Sequence, residues 1–288
     1  MSTWSELLQE AACSLQKCGV ENYRTEAEIL LSELGGFRRS ELFFRRDVHV
    51  AAPLAEEIRR AVERRAKHEP LQYITGSAPF RDIDLQVSSA VLIPRPETEL
   101  LVDTVLKYLP LKGRFADIGT GSGAIALSVA YERADVTVVA VDASREALDI
   151  AVKNRERLGL WGRVEFRHGD LIQPLKAKGE YYHVIAANLP YVSEAEYVLC
   201  APEVREHEPV MALVAADNGL ELILRLVHNA GSVLVPDGWL MLEIGSTQGA
   251  EVAAAMNNAG FKDVSVRQDL TNRTRFVIGR YPGGGILY

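Results

Sequence analysis

The sequence predicts an α/β fold, a mainly parallel sheet preceded by a small helical domain. Two observations carry this. From residue 115 onward, short β-branched runs alternate with helix-length segments, the pattern of parallel strands joined by right-handed crossovers. The first of those runs also opens into a glycine-rich loop, Gly119-Thr120-Gly121-Ser122-Gly123, where a strand hands over to a helix.

The elements follow in order. Trp4, Leu7, Leu8, Ala11, Ala12 and Leu15 recur with helical spacing, and Gly19 stands where a C-terminal cap belongs. Ala27, Leu30, Leu31 and Leu34 form a second stripe before Gly35-Gly36. Leu54, Ile58, Ala61 and Val62 form a third, opened by Pro53 and closed near Pro70. Residues 1–71 are therefore expected to be a helical domain. In residues 72–94, Ile83, Leu85 and Val87 alternate with polar residues and Val91-Leu92-Ile93 follows, which predicts a β-hairpin linker. A helix should start at Pro96, with Glu97 and Glu99 favourable at its positive end. Residues 95–288 then form the main domain. Seven strands are expected there, at 115–118, 136–141, 164–167, 182–187, 239–244, 264–268 and 274–278, with helices at 124–131, 146–158, 220–229 and 250–258. Because no helix separates the last two strands, they should form an antiparallel hairpin at the sheet edge.

Composition bounds the function. With 288 residues, 48% hydrophobic and 25% charged, the chain has room for a large globular domain and a small one. No stretch approaches the ~18 apolar residues of a membrane span. Residues 1–6 lack the basic and then apolar pattern of a secretion signal, so a cytoplasmic location is expected. Cys13, Cys18 and Cys200 have no metal-ligand spacing and the six histidines form no H-x-x-x-H pair; no metal is expected. The net charge of −7 argues against a generic nucleic-acid binder. Between Gly36 and His68, nine basic residues (Arg38, Arg39, Arg45, Arg46, Arg59, Arg60, Arg64, Arg65 and Lys67) face five acidic ones. A solvated helical face is the default explanation of that run, and a docking surface for an acidic partner the alternative.

The glycine loop offers bare backbone to a ligand at the carboxyl edge of the sheet. By itself, Gly119-x-Gly121-x-x-Ala124 does not separate S-adenosylmethionine from a dinucleotide. Asp117 favours the former: a carboxylate just before the glycines would repel a pyrophosphate, yet could anchor a methionine ammonium directly or through water. Asp142 ends the next strand, nineteen residues beyond Gly123, where an acidic side chain can hold both ribose hydroxyls. Asp170 follows the third strand and can accept from the adenine amine, with Leu171 against the ring.

The tetrapeptide Asn188-Leu189-Pro190-Tyr191 ends a later strand. As a loop it is unremarkable, but downstream of the glycine loop it points to methyl transfer onto a planar, weakly nucleophilic NH2 group. Asn188, expected also to line the cofactor site, offers a side-chain carbonyl and Leu189 a backbone carbonyl as acceptors. Pro190 stiffens the turn and brings no competing N–H. Tyr191 offers a face for stacking and for supporting developing positive charge. The tetrapeptide does not choose between a glutamine amide and an adenine amine.

Further segments carry a family resemblance: Pro70-Leu-Gln-Tyr-Ile-Thr-Gly76, Val91-Leu-Ile-Pro-Arg-Pro-Glu-Thr-Glu99, and Asp117-Ile-Gly-Thr-Gly-Ser-Gly-Ala-Ile-Ala126. With the tetrapeptide they resemble the release-factor glutamine methyltransferases, the HemK or PrmC family, over nearly the whole chain. The resemblance implies a Rossmann-like, seven-stranded S-adenosylmethionine-dependent methyltransferase fold. It implies as substrate the glutamine in the Gly-Gly-Gln loop of class-one peptide-chain release factors. The catalytic pocket alone would see one side chain, so the helical domain is the expected docking surface for the factor, and a monomer is expected. Arg95 and Glu97 then flank the substrate pocket or form a structural ion pair holding the linker to the core, and Phe80 adds an apolar wall. The family usually has proline where this chain has Leu189. Leucine keeps the backbone acceptor, and Pro190 restrains it toward extended geometry. Asn-Leu-Pro-Tyr is also the wording of ribosomal RNA adenine dimethyltransferases, so an adenine amino-methyltransferase acting on ribosomal RNA or DNA is the alternative.

Overall fold

In the computed structural model, which describes residues 2–283, one seven-stranded sheet dominates and a two-stranded ribbon stands apart from it. The ribbon comprises β1 (Ser77–Phe80) and β2 (Ile83–Gln86). The large sheet comprises β3 (Arg114–Ile118), β4 (Thr137–Asp142), β5 (Val164–His168), β6 (Tyr182–Asn188), β7 (Leu234–Glu243), β8 (Lys262–Gln268) and β9 (Thr274–Tyr281), ordered β5-β4-β3-β6-β7-β9-β8. The first five pair in parallel, and β9 runs antiparallel between β7 and β8. The terminal hairpin therefore folds inward, leaving β8 at the edge.

The central strands are apolar on both sides because helices cover both faces. Val138 and Ala140 join a cluster with Leu101, Val105, Phe115, Leu127 and Val184. Their neighbours Val139 and Val141 point the other way, into a cluster with Ile118, Ile185, Leu226 and Leu240. After β3 the chain crosses to β4 on one side, whereas β6 lies on the other. A crevice opens at such a switch point, outside the carboxyl ends of the strands. Ile118 pairs with Ala187, so the glycine loop and the tetrapeptide leave the sheet side by side.

The linker departs from expectation after its hairpin. β1 and β2 make the hairpin, joined through Arg81, whose φ is +51°, and Asp82. Val91-Leu92-Ile93 forms no strand. Val91 and Ile93 are buried, but the run ends at Pro94 and Pro96, which have no N–H to join a ladder. Asn154 fastens the end of the hairpin. Its Oδ1 accepts from Gln86 N at 2.6 Å, and its Nδ2 donates to Gln86 O and to Ser122 O in the glycine loop.

The chain divides into two compact units, one running to Ser77 and including Ala201–His207, the other comprising Ala78–Cys200 and the chain from Glu208. Residues 72–77, which the sequence assigns to the linker, thus group with the helices, and Leu71–Thr75 is itself a short helix. The three expected long helices are Trp4–Lys17, Tyr23–Gly35 and Ala52–Ala66. Thr3 and Glu6 form a capping box at the first. Leu7, Leu15, Leu30, Leu31 and Ile58 fill the core of this unit.

Much of the basic run is neutralised inside the unit. Arg39 pairs with Glu28, Arg45 with Glu41, Arg59 with Glu10 and Glu56, and Arg64 with Glu69. Arg65 is only 4% exposed and is held between Glu26 and Glu203. Arg65→Ala should accordingly destabilise this unit by about 2–3 kcal/mol, because it strips charge-assisted hydrogen bonds from a buried site. Exposed Arg60 should change stability by less than about 0.5 kcal/mol when replaced by alanine. Urea denaturation of both variants separates the two roles.

Candidate active site

Three turns of backbone build the crevice. Gly119, Gly121 and Gly123 all adopt left-handed φ, at +75°, +55° and +86°, which glycine takes without steric penalty. Gly119 N and Thr120 N both donate to Val141 O, at 2.9 and 3.0 Å, tying the loop to β4. Gly123 caps the helix Ala124–Glu132. A cavity here is lined by Gly119, Thr120, Gly121, Ser122, Asp142, Asp170, Leu171, Asn188, Leu189 and Pro190, together with Arg95, Thr98 and Met211.

The three acidic residues have different surroundings. Asp117 lies fully buried beneath the loop and does not line the cavity. Its Oδ2 accepts from Thr120 Oγ1 at 2.6 Å and Ala126 N at 3.2 Å, while its buried Oδ1 has no partner. Burial pushes this carboxyl up to about 7. Asp142 lines the cavity with both oxygens engaged once, Oδ2 by Gly121 N and Oδ1 by Ser144 N, each at 2.8 Å. A carboxylate oxygen accepts more than one hydrogen bond, so capacity for hydroxyl donors remains. Burial also raises the Asp142 carboxyl above its ordinary range. Asp170 is at the cavity rim with its carboxylate half exposed and held by Arg225. Leu171 beside it has a φ of +46°.

Asn188 ends β6, and its Nδ2 donates to Thr98 Oγ1 at 3.1 Å. Thr98 in turn donates to Glu243 Oε2 at 2.7 Å. Leu189 is 4% exposed, and its Cδ2 sits 2.9 Å from where a side chain on Gly119 would begin. The leucine that distinguishes this tetrapeptide is therefore packed directly against the glycine loop. Gly119→Ala should lower stability by about 1–3 kcal/mol through its positive φ alone, with Leu189 adding a clash. In a Leu189→Ala background the penalty of Gly119→Ala should shrink by the clash alone, which the melting temperatures of the two single variants, the double variant and the wild type would reveal.

Tyr191 was expected to offer a stacking face to the substrate. It does not line the cavity; the ring packs half-buried against the cluster containing Leu220 and Ile223. Burial pushes its phenol up to about 12. Gln248 fixes the turn instead, donating from Nε2 to Tyr191 O and Asn218 O while its Oε1 accepts from Gly245 N. Gly219 stands so close to Tyr191 O that a Cβ would lie 2.0 Å from it. Phe80 is likewise corrected. It is 1% exposed and belongs to the core with Ile83, Leu85 and Phe115, away from the cavity, because alternation along β1 turns it inward. Arg95 does line the cavity, and its guanidinium meets buried Glu208 at 2.5 Å. Glu97 does not line it.

Sequence patterning missed Thr98, Asn154, Glu243 and Gln248. Thr98 and Asn154 lie on helices, Glu243 ends a strand and Gln248 precedes the helix Gly249–Asn258; each is a polar side chain at a buried position, and that mismatch is the one signal they leave.

Residues 6–76 match the PrmC N-terminal domain, and residues 96–206 match the Methyltransferase small domain. A release factor glutamine methyltransferase of Xylella fastidiosa (strain 9a5c) is 41% identical over 262 residues, spanning 90% of this chain and 94% of that protein. The chain belongs to the release factor glutamine methyltransferase family. Another relative of that name, from Escherichia coli (strain K12), is 36% identical over 275 residues, spanning 95% of this chain and 97% of its own length. In fold the chain resembles a methyltransferase from Pyrococcus furiosus, with a TM-score of 0.53 at 18% identity, over 70% of this chain and 91% of that one. That likeness supports the Rossmann-like methyltransferase architecture. Among the described residues no helix is long and apolar enough to cross a membrane.

Proposed function

We propose that the chain methylates the side-chain amide nitrogen of the glutamine in the Gly-Gly-Gln loop of class-one peptide-chain release factors, taking the methyl group from S-adenosylmethionine. Family membership supports the choice of substrate. The observation that carries the chemistry is Asn188 at the cavity wall with its Nδ2 committed to Thr98, so that Oδ1 is left to accept.

The residues present fit S-adenosylmethionine. Asp117 has an unpartnered buried oxygen suited to an ammonium group reached through water, and Asp142 retains acceptor capacity for ribose hydroxyls. Gly119, Thr120, Gly121 and Ser122 provide close backbone approach, with Gly123 shaping the helix entry behind them. Asp170 accepts from the adenine amine once Arg225 yields, and Leu171 packs on the ring. The bound sulfonium supplies an electrophilic methyl group. The substrate NH2 donates to Asn188 Oδ1 and to Leu189 O, which orients its nitrogen, and Pro190 keeps competing donors out. Positioning and fixed dipoles supply the acceleration. As the N–C bond forms the S–C bond breaks, leaving S-adenosylhomocysteine, and the substrate nitrogen, made acidic by the transfer, gives its proton to water, so no strong base is required. Arg95 lies at the rim, where its pairing with Glu208 holds the substrate entrance, and Glu97 contributes negative charge nearby. Cytoplasmic release factors are the partners, and the helical unit is the docking surface.

An adenine amine presents the same donor geometry, but a polyanionic substrate needs free positive charge around the cavity. Arg95 and Arg225 at this rim are both committed to carboxylates. Incubation with labelled S-adenosylmethionine and either purified release factor or ribosomal RNA separates the two. The label should enter the release factor; label in RNA alone would refute the proposal.

Cofactor affinity should also depend on pH. An ammonium partner favours the ionised Asp117, so binding displaces a proton wherever the free carboxyl is protonated. Below about 7 the affinity should therefore weaken as pH falls, by up to about tenfold per unit. Calorimetric titrations at pH 6 and 7 should show this dependence in the wild type and not in Asp117→Asn.

A further inference from the structure

We infer that Thr98 and Glu243 are positioning residues that lock the Asn188 amide with its oxygen toward the substrate, through the chain Asn188 Nδ2 to Thr98 Oγ1 (3.1 Å) to Glu243 Oε2 (2.7 Å). The inference rests on Asn188 being the acceptor of the substrate NH2.

Hydrogen-bond polarity sets the orientation. An asparagine amide is nearly symmetric in shape, and its two orientations differ mainly in which hydrogen bonds they make. In one, Oδ1 meets the incoming NH2; in the other, donor faces donor. A threonine hydroxyl has one proton. An ionised Glu243 can only accept, so it takes that proton and leaves Thr98 a lone pair toward Asn188. Only an N–H can satisfy that lone pair, and Oδ1 is driven to the opposite side. Three elements converge to make the chain. Asn188 ends β6, Glu243 ends β7 directly opposite it in register, and Thr98 lies in the first turn of the helix Pro96–Tyr108. All of Thr98 and Glu243 is buried, at 4% and 1% exposure.

The polarity reverses if Glu243 takes a proton. The acid can then donate to Thr98, whose own proton becomes free to turn toward Asn188 and to favour the flipped amide. The charged and titratable groups around Glu243 are Arg275 from β9, Glu97 and Arg95 from the start of the helix, and Tyr191 from the turn. Burial outweighs the arginines and pushes the Glu243 carboxyl up to about 7. Turnover should therefore fall as pH drops below about 7, independently of any change in cofactor affinity.

Thr98→Val preserves shape while removing the relay; it should lower kcat on the order of 10- to 100-fold, with S-adenosylmethionine affinity unchanged. Thr98→Ser should restore kcat, and Glu243→Gln should lose the acid limb of the kcat profile. A second measurement needs no substrate. The Asn188 side-chain NH2 resonances of 15N-labelled protein should shift between pH 6 and 8 in the wild type, and should not shift in Glu243→Gln or Thr98→Val. Wild-type kcat in Thr98→Val, or Asn188 resonances with the same pH dependence in all three proteins, would overturn the inference. If the wild type transfers no methyl group to release factor, the proposed function fails, and the resonance titration still decides the relay.

Discussion

Asn188→Ala is expected to reduce turnover by about 10²–10³-fold, the usual effect of removing one preorganised polar group from a reacting centre. S-adenosylmethionine affinity should stay within a few-fold. The asymmetry follows from the site. In the proposed mechanism Asn188 offers Oδ1 to the NH2 that must be aimed, whereas the carboxylates and the glycine loop proposed to hold the cofactor belong to β3, β4 and the segment after β5. Leu189 O survives the substitution, so the substrate amide keeps one of its two acceptors and can still enter. Single-turnover kinetics with saturating cofactor, alongside calorimetry, reads the two effects apart. Full activity in the variant would remove Asn188 from the mechanism.

The second large effect belongs to Asp142. Asp142→Ala should weaken S-adenosylmethionine binding by on the order of 100-fold, given about 1.5–3 kcal/mol for each hydrogen bond to a charged acceptor. Part of that loss is indirect, because Gly121 N and Ser144 N lose the carboxylate that holds them. Asp142→Asn keeps one acceptor oxygen and should fall between the wild type and the alanine variant. Undiminished affinity in a calorimetric titration of Asp142→Ala would refute its assignment to the ribose.

Much of this arrangement is legible in the chain because it rests on local rules. The strand-helix alternation after residue 115 dictates a parallel sheet, and the glycine run after the first of those strands marks its carboxyl edge. Asn188 and Leu189 were legible for the same reason, since they end a strand next to that edge. Other parts depend on contacts distant in sequence. The pairing of Thr98 with Glu243 spans 145 residues and has no periodic signature. Phe80 reads as a pocket wall until the hairpin fixes which way it points, into the core. The half-buried ring of Tyr191 packs against an apolar cluster that includes Val139, Ile185, Leu226 and Leu240, residues brought together from distant parts of the chain. Ala201–His207 joins the helical unit through Glu203, whose partner Arg65 lies far upstream. Arg65 shows why a charge count misleads: within the basic run, this one residue is buried and structural.

The identity of the methylated atom is open to direct measurement. Purified release factor incubated with the enzyme and isotopically labelled S-adenosylmethionine, then digested and fragmented in a mass spectrometer, locates the label residue by residue. The account predicts one methyl group on the side-chain amide nitrogen of the Gly-Gly-Gln glutamine, formed by the wild type and lost with Asn188→Ala. Label on any other residue of the factor, or on that glutamine at undiminished rate in Asn188→Ala, would contradict it.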